Sequence, residues 1–338
     1  MSEDTTRRVV YATAAPDTIA EWLADRYQIA GTPRASLLSR GFNDTYEIAG
    51  RNGERFIARL SGERLGGIRD VQAETAFIAF LDQAGVPVAA PVPAEDGTLF
   101  QLVDLPQGPR PLVLFRFLDG RVPDLDSPQD ARAQGMTLAR LHDAAETYGE
   151  WETGLRRCDL EQLLRRPLAA IRSLGRLGPD DAGELAALAE RLAERVTALD
   201  AHMTKTRCHG DCHGLNARIA TAGPRPGEAA FFDFDDGGPG PLAYDLAVHL
   251  WAQISFGRRR HAMWHAFEDG YRSIRRIAPA DEAAILPFVA IRHIWLLGQY
   301  AGKAASEWGM EHLPEPVLRR ELAFLLAFEQ ERLGPRLL

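Results

Sequence analysis

The sequence predicts an α+β fold in which an N-terminal lobe with an antiparallel sheet precedes a mainly helical C-terminal lobe. Strand patterns and hairpin turn signals are concentrated before residue 119, and apolar residues at helical spacing dominate after it. The chain has 338 residues, which is enough for two domains. We therefore expect a β-rich domain over residues 1–118 and a helical domain over residues 119–338.

The elements of the N-terminal lobe follow from local signals. Pro16 and Asp17 mark a helix start, Gly50 and Gly53 frame a hairpin turn, and Gly85 ends a helix. In chain order the predicted elements are a helix at 17–27, strands at 35–39, 44–49 and 55–60, a helix at 68–84, and strands at 98–103 and 111–118. This order predicts a helix packed on an antiparallel sheet.

The C-terminal lobe has helical patterns at 128–147, 160–173, 180–202, 242–254, 259–275, 281–304 and 316–333. One region interrupts them. There the segments 217–220 and 229–233 are typical of two short strands, joined by the Gly/Pro-rich segment 221–228. We expect a β-hairpin enclosed by helices.

Composition limits the classes of function. Apolar residues make up 46% of the chain and charged residues 25%, as in ordinary soluble proteins, and no uninterrupted apolar stretch is long enough for a membrane span. The first residues lack the apolar core of a signal peptide, so a cytoplasmic location is expected. Three cysteines are too few for a disulfide framework. The net charge of −8 argues against a nucleic-acid partner.

One motif carries the chemistry. The sequence His209-Gly-Asp-Cys-His-Gly-Leu-Asn216 is followed by an apolar run that ends in Asp233-Phe-Asp-Asp236. It thus places an Asn five residues after Asp211 and a second acidic cluster after a strand. Protein kinases use this spacing to transfer the γ-phosphoryl group of ATP to a hydroxyl. One carboxylate accepts the hydroxyl proton, and an amide oxygen and another carboxylate hold magnesium.

We therefore assign candidate roles within the motif. Asp211 is the candidate catalytic base, and Asn216 and Asp233 are candidate Mg²⁺ ligands, with Asp235 as a further one. Taken singly, Asp211 could cap a turn, Asn216 could form a turn and Asp233 could simply end a strand. The agreement of three spacings favours the catalytic interpretation. Asp236 more simply caps the turn that follows it.

A zinc site is the competing interpretation of the same segment. Cys208, His209, Cys212 and His213 lie within six positions. The Cys-x-x-x-Cys spacing is not a common zinc layout, and no second ligand pair follows. We favour magnesium and expect His209 to brace the loop by hydrogen bonding.

Nucleotide-binding candidates lie in the N-terminal lobe. Arg59, late on a predicted strand, could contact the ATP phosphates, and Glu74 on the next helix could orient it. The alternative is a surface ion pair of little consequence. Gly41 and Asn43, in the segment 39–44, could belong to a loop that covers the phosphates, although an ordinary β-turn has the same pattern.

The role of Asp245, near the start of a helix, has two interpretations. It could accept hydrogen bonds from backbone amides and so hold the catalytic loop in shape. A stabilising acid at a helix N-terminus is the other interpretation.

The catalytic segment and its Phe-Asp-Phe-Asp-Asp sequence resemble the signature of the aminoglycoside phosphotransferase and choline kinase superfamily. The segment Gly85-Val-Pro-Val-Ala-Ala-Pro-Val also looks like that family's, and the similarity is greatest to phosphotransferases of the stress response kinase A type. The resemblance runs from about Ser39 to the last helices. It implies a two-lobed, protein-kinase-like fold that binds ATP between its lobes.

The resemblance also implies roles for residues. Asp211 would be the base, Asn216 and Asp233 would bind Mg²⁺, and the backbone of Arg116 and Leu118 would contact adenine. The family usually has Lys where this chain has Arg59. The acceptor would be a protein Ser/Thr hydroxyl or, alternatively, a small molecule such as homoserine, choline or an aminoglycoside. A weakly active nucleotide-binding module is the remaining alternative.

Overall fold

The structure, a computed structural model, describes residues 11–62, 67–150, 153–305, 309 and 312–333. The chain divides into two compact units, the first ending at Asp119 and the second beginning at Gly120. An antiparallel sheet dominates the first unit and helices dominate the second, which confirms the predicted α+β class. No helix in the described ranges has both the length and the apolar character that crossing a membrane requires.

The first unit contains a five-stranded antiparallel sheet with the strand order β1-β2-β3-β5-β4. Its elements are α1 (Pro16–Ala24), β1 (Arg34–Arg40), β2 (Asp44–Ala49), β3 (Arg55–Leu60), α2 (Gly67–Gln83), β4 (Gln101–Leu105) and β5 (Gly108–Arg116). Ile19 and Leu23 of α1 are fully buried in a cluster with Tyr46, Ala58 and Leu60 of the sheet. The apolar side of α1 therefore covers one face of the sheet.

The alternation of side chains along β3 decides where Arg59 points. Ala58 and Leu60 belong to the cluster under α1. Because successive side chains of a strand face opposite sides, Arg59 lies on the other face. Strand β3 is paired on both edges, with Thr45 of β2 and Val113 of β5 opposite Arg59. This central strand therefore fixes the arginine firmly.

The second unit is mainly helical. Its elements are α3 (Pro128–Ala145), a π-helical turn (Glu161–Arg165), α4 (Arg166–Ser173), α5 (Pro179–Leu199), a 3-10 turn (Asp200–His202), β6 (Lys205–Cys208), β7 (Ala217–Ile219), β8 (Ala229–Phe231), β9 (Gly238–Pro241), α6 (Leu242–Ile254), α7 (His261–Arg272), α8 (Pro279–Lys303), α9 (Glu315–Phe328) and a final π-helical turn (Glu329–Leu333). Helix α6 is buried along most of its length, which makes it central to the core.

Two pairs of short strands position the motif. Strand β6 pairs with β9, and β7 pairs with β8 to form the expected hairpin. The sequence did not predict β6 or β9. The predicted strand 229–233 ends early, at Phe231, and Asp233 adopts a φ of +68°, outside the extended region. The structure thus replaces the end of that strand with a sharp turn that carries the acidic cluster.

Candidate active site

Asp211 lies in the loop after β6, and two side chains hold its carboxylate. The Nδ2 atom of Asn216 donates to Asp211 Oδ2 at 2.9 Å and to the Asp211 carbonyl oxygen at 3.0 Å. The Oδ1 atom forms an ion pair with Arg292 of α8. The Asp211 side chain is only 15% exposed. Its orientation is therefore set by a donor on each oxygen.

Asp245 of α6 anchors the backbone of this loop. Its fully buried carboxylate accepts hydrogen bonds from the backbone amides of His209 at 2.7 Å and Gly210 at 2.8 Å, and contacts Nε2 of His142 at 3.1 Å. Burial opposes its ionisation, but these hydrogen bonds, above all that of His142, hold its pKa below the ordinary value. The structure thus supports the loop-shaping interpretation of Asp245.

His209 ties the loop to the end of β8. Its Nε2 lies 3.1 Å from the carbonyl oxygen of Phe232, which can only accept, so Nε2 carries the proton. Its Nδ1 then accepts from the Asp211 amide at 3.2 Å. The ring stacks on Phe234 at 4.1 Å, and burial lowers its pKa. Neutral His209 therefore braces the loop, as expected.

Gly210 is required by the path of the loop. Its φ is +83°, and a Cβ atom there would lie 2.2 Å from the carbonyl oxygen of Asp236. A side chain would thus strain the backbone and collide with the acidic turn. The absence of a side chain lets the Asp211 loop and the acidic turn lie against each other.

The hairpin brings the proposed magnesium ligands to the same end. Ala217 pairs with Phe231, and the amide of Phe232 donates to the carbonyl oxygen of Asn216 at 3.1 Å. Asn216 therefore lies directly before the hairpin strand β7, and Asp233 lies two residues after its partner strand β8. Because the Nδ2 atom of Asn216 is held by Asp211, Oδ1 is the amide atom that a cation would take. An amide oxygen and carboxylates are ligands that Mg²⁺ prefers, so the donor set fits.

The zinc interpretation has no comparable support. Cys208 Sγ contacts the carbonyl oxygen of Pro241 at 3.4 Å, and Cys212 Sγ contacts that of Asp245 at 3.0 Å. Burial raises the pKa of both thiols, which disfavours the thiolate that binds metal.

Asp211 has the electrostatic properties of a proton acceptor. Burial raises its pKa to about 6, Arg292 opposes this shift, and Asp236 reinforces it. A carboxylate with a raised pKa is a stronger base than a free one and is still ionised at neutral pH. The loop can therefore present a base to a hydroxyl.

In the first unit, Arg59 and Glu74 are in direct contact. Both guanidinium nitrogens bond to the carboxylate, Nη1 at 2.7 Å and Nη2 at 2.6 Å, and each side chain is 6% exposed. The guanidinium also lies 5.2 Å from the Phe115 ring centre. This is a buried, oriented pair and not the surface ion pair considered as its alternative.

The other candidate nucleotide-binding residues take part in hydrogen bonds with backbone groups of neighbouring segments. The Gly41 amide donates to the Asn43 carbonyl at 3.1 Å, and Asn43 Oδ1 accepts from the Gly62 amide at 3.0 Å, which ties the β1–β2 loop to the end of β3. The Arg116 amide donates to the carbonyl of Ala90 at 2.9 Å, so an adenine could use only its carbonyl. Leu118 lies two residues beyond, after β5 ends.

Sequence reasoning missed Arg292. It lies 81 positions after Asp211, inside α8, and is 2% exposed. One signal was available. Arg292 is a lone arginine within the apolar segment Ala284 to Leu297, and a buried charge requires a partner.

Comparisons with known proteins show which family the chain belongs to. Residues 35–277 match the model of the phosphotransferase enzyme family. An uncharacterized protein from Deinococcus radiodurans is 38% identical over 95% of this chain and 92% of its own. A homoserine kinase from Cupriavidus pinatubonensis is 26% identical over 81% and 82% of the two chains. Stress response kinase A from Shigella flexneri is 25% identical over 93% and 88%.

Solved structures share the fold. A microcompartment-associated aminopropanol kinase superposes with a TM-score of 0.73 at 22% identity, covering 95% of this chain and 99% of its own. The amicoumacin kinase hAmiN, solved with AMP-PNP, Ca²⁺ and Ami, has a TM-score of 0.72 at 17% identity, covering 95% and 96%. The kinase-like fold that the motif resemblance implied is therefore confirmed. The chain therefore belongs to the phosphotransferase enzyme family.

Proposed function

We propose that this kinase uses ATP and Mg²⁺ to phosphorylate the hydroxyl of a small molecule, with Asp211 as the base. The observation that carries the proposal is the held carboxylate of Asp211. Asn216 and Arg292 each bond one of its oxygens, and Asp245 fixes the backbone beneath it. A base held in this way can meet a hydroxyl without first reorganising.

Asn216 and Asp233 would hold the magnesium, with Asp235 as a further ligand. A bound Mg²⁺ supplies positive charge that stabilises the phosphates during transfer. Asn216 also has a second task, because its Nδ2 donates to Asp211. The same side chain would therefore fix both the base and the cation.

The first unit would bind the nucleotide. Arg59, oriented by Glu74, would contact the phosphates, Gly41 and Asn43 would shape the loop that covers them, and the backbone of Arg116 and Leu118 would contact adenine. Like the usual Lys, Arg59 would supply a positive charge to the phosphates, although the two side chains differ in shape. We also propose residues 1–118 and 119–338 as the two lobes.

A small acceptor is favoured over a protein hydroxyl. The named relatives include homoserine kinase and stress response kinase A, and the structural neighbours include aminopropanol and amicoumacin kinases. Three of these four names refer to small hydroxyl-bearing molecules. The sequence alone had suggested a protein Ser/Thr hydroxyl as acceptor, with a small molecule as the alternative.

The test is a transfer assay with labelled ATP and Mg²⁺ over a panel of acceptors. The panel contains homoserine, hydroxybutyrate, aminopropanol, choline, an aminoglycoside and a Ser/Thr-containing protein. Hydroxybutyrate and aminopropanol each keep one charged group of homoserine, so they separate recognition of the carboxylate from recognition of the amine. We expect label on at least one small molecule. Label on the protein alone would overturn the proposal.

Magnesium dependence needs its own control. We expect a chelator to abolish transfer and added Mg²⁺ to restore it. We also expect Asn216→Ala and Asp233→Ala to raise the Mg²⁺ concentration that gives half-maximal activity. Transfer that persists in the chelator would contradict the metal assignment.

A further inference from the structure

Arg292 contacts both the side chain of Asp211 and the backbone of the loop that carries it. Its Nη2 atom pairs with Asp211 Oδ1, and its Nη1 atom donates to the carbonyl oxygen of Gly210 at 3.2 Å and to the hydroxyl of Tyr244 at 3.3 Å. One guanidinium thus holds the side chain of Asp211 and the backbone of the residue before it. The carboxylate is thereby fixed relative to its own loop.

The guanidinium is itself held rigidly. Arg292 is 2% exposed and projects from α8, which runs from Pro279 to Lys303. Its guanidinium carbon lies 4.1 Å from the ring centre of Trp295 and 5.3 Å from that of Trp251. A planar cation packed on indole faces resists rotation and gains cation–π stabilisation. The contact to Asp211 therefore comes from a fixed donor and not from a mobile surface arginine.

The two oxygens of Asp211 are held by different elements. Arg292 bonds Oδ1 from α8, and Asn216 bonds Oδ2 from the start of the hairpin. Neither donor alone prevents the carboxylate from turning about its Cβ–Cγ bond, but the two together do. A base that is misplaced by about 1 Å can cost about 100-fold in rate, so this restraint matters for transfer.

We propose that Arg292 is a positioning residue for phosphoryl transfer, holding the Asp211 carboxylate in the orientation that receives the proton of the acceptor hydroxyl. This inference rests on the proposed function, in which Asp211 is the base. Arg292 needs no contact with the acceptor or the nucleotide in this role. Its loss should therefore reduce kcat and leave the KM values for ATP and acceptor nearly unchanged.

The experiment compares four variants of the full chain in the transfer assay. Arg292→Met keeps an unbranched apolar stem but removes the guanidinium and its donors. Arg292→Lys keeps the charge but offers one nitrogen in place of the fork. Arg275→Met is the matched control, because Arg275 is also largely buried, at 15% exposed, and pairs with Asp143 and Glu146 away from the motif. Asp211→Asn gives the rate without the base.

We expect Arg292→Met to lower kcat by about 100-fold with both KM values within about threefold of wild type. Arg292→Lys should recover part of that loss, and Arg275→Met should keep the wild-type kcat. A wild-type kcat for folded Arg292→Met, or a loss confined to KM, would overturn the proposal. If Arg292→Met does not fold, Arg292→Lys is used in its place. A wild-type kcat for Arg292→Lys would then overturn the proposal.

The design separates this proposal from the proposed function. If Asp211→Asn transfers phosphate as fast as wild type, the base assignment fails and the role of Arg292 fails with it. If Asp211→Asn is inactive and Arg292→Met is fully active, the base assignment stands and only the positioning role is lost.

Discussion

Arg59 and Glu74 form a two-pronged ion pair inside the first unit, with nitrogen–oxygen distances of 2.7 and 2.6 Å. The pair joins the central strand β3 to helix α2. Removing one member of a buried pair leaves the other charge without compensation, and this costs far more than the pair contributes in net stability. Glu74 is therefore needed for structure as well as for orienting Arg59.

We predict that Glu74→Gln lowers the free energy of unfolding by about 3–5 kcal/mol, because Arg59 would keep a buried charge opposite a neutral amide. Chemical denaturation measures this. Glu47→Gln is the control, since Glu47 pairs with Arg55 at 2.9 Å on the exposed part of the same sheet. Its expected loss is at most about 1 kcal/mol. Equal losses for the two variants would contradict the buried-pair account.

Asp245→Asn should weaken both stability and activity. The two backbone amides and His142 all converge on its carboxylate, and the amide group of Asn would turn a donor toward one of them. A buried donor without an acceptor costs about 1–3 kcal/mol. We expect a loss in that range by denaturation, together with a fall in kcat because the Asp211 loop loosens.

Asp143→Asn provides the comparison for Asp245, because Asp143 is 47% exposed and its partner Arg275 keeps a second carboxylate, Glu146. It should change neither stability nor kcat appreciably. Wild-type kcat in Asp245→Asn would show that the loop keeps its shape without this anchor.

Gly210→Ala and Gly227→Ala form a matched pair, because both glycines have a φ of +83°. A Cβ at Gly210 would lie 2.2 Å from the Asp236 carbonyl oxygen, whereas a Cβ at Gly227 has no atom within 4 Å. Both variants share the backbone strain, of about 1–2 kcal/mol. We expect Gly210→Ala to be less stable than Gly227→Ala by about 1–3 kcal/mol, which is the typical cost of overpacking. Of the two variants, only Gly210→Ala should lose activity. Unfolding midpoints and initial rates test this.

The stability of the second unit should depend on pH through His249. Burial lowers its pKa from 6.5 to about 3, and its ring is stacked on Phe267 at 3.7 Å. Below pH 6.5, His249 binds a proton in the unfolded chain but stays neutral in the folded chain. The free energy of unfolding therefore falls as pH falls toward 3. Between pH 7.5 and 5 this one residue should contribute a loss of about 2 kcal/mol.

Urea denaturation at pH 7.5 and pH 5 measures that loss. His249→Gln should be less stable than wild type at pH 7.5 but should lose about 2 kcal/mol less on acidification, because Gln does not titrate. The same substitution at the exposed His261 is the matched control. An unchanged acid loss in His249→Gln would contradict the assignment.

The sequence predicted the features that local patterns encode, and missed those that depend on distant contacts. The hairpin Gly50 to Gly53 and the strand that carries Arg59 follow from turn signals and alternation, and the structure has both. Strand β9 has the sequence Gly-Pro-Gly-Pro, which no strand pattern describes. It exists because β6 supplies its hydrogen-bond partners.

The candidate site shows the same division. The spacing of Asp211 and Asn216 within one loop predicted that they act together, and Asn216 does bond Asp211. The left-handed backbone at Asp233 and the partner of Arg292 could not be predicted, since both result from tertiary packing. A buried arginine requires a partner, but the amino-acid sequence does not identify which carboxylate it pairs with.

The most direct test of the account is single-turnover transfer from Mg²⁺-ATP to the acceptor found in the panel, comparing wild type with Asp211→Asn. The account predicts that Asp211→Asn binds ATP as wild type does but transfers phosphate about 10²–10⁴-fold more slowly, because an amide cannot accept the hydroxyl proton. Transfer by Asp211→Asn at the wild-type rate would contradict the central claim that Asp211 is the base.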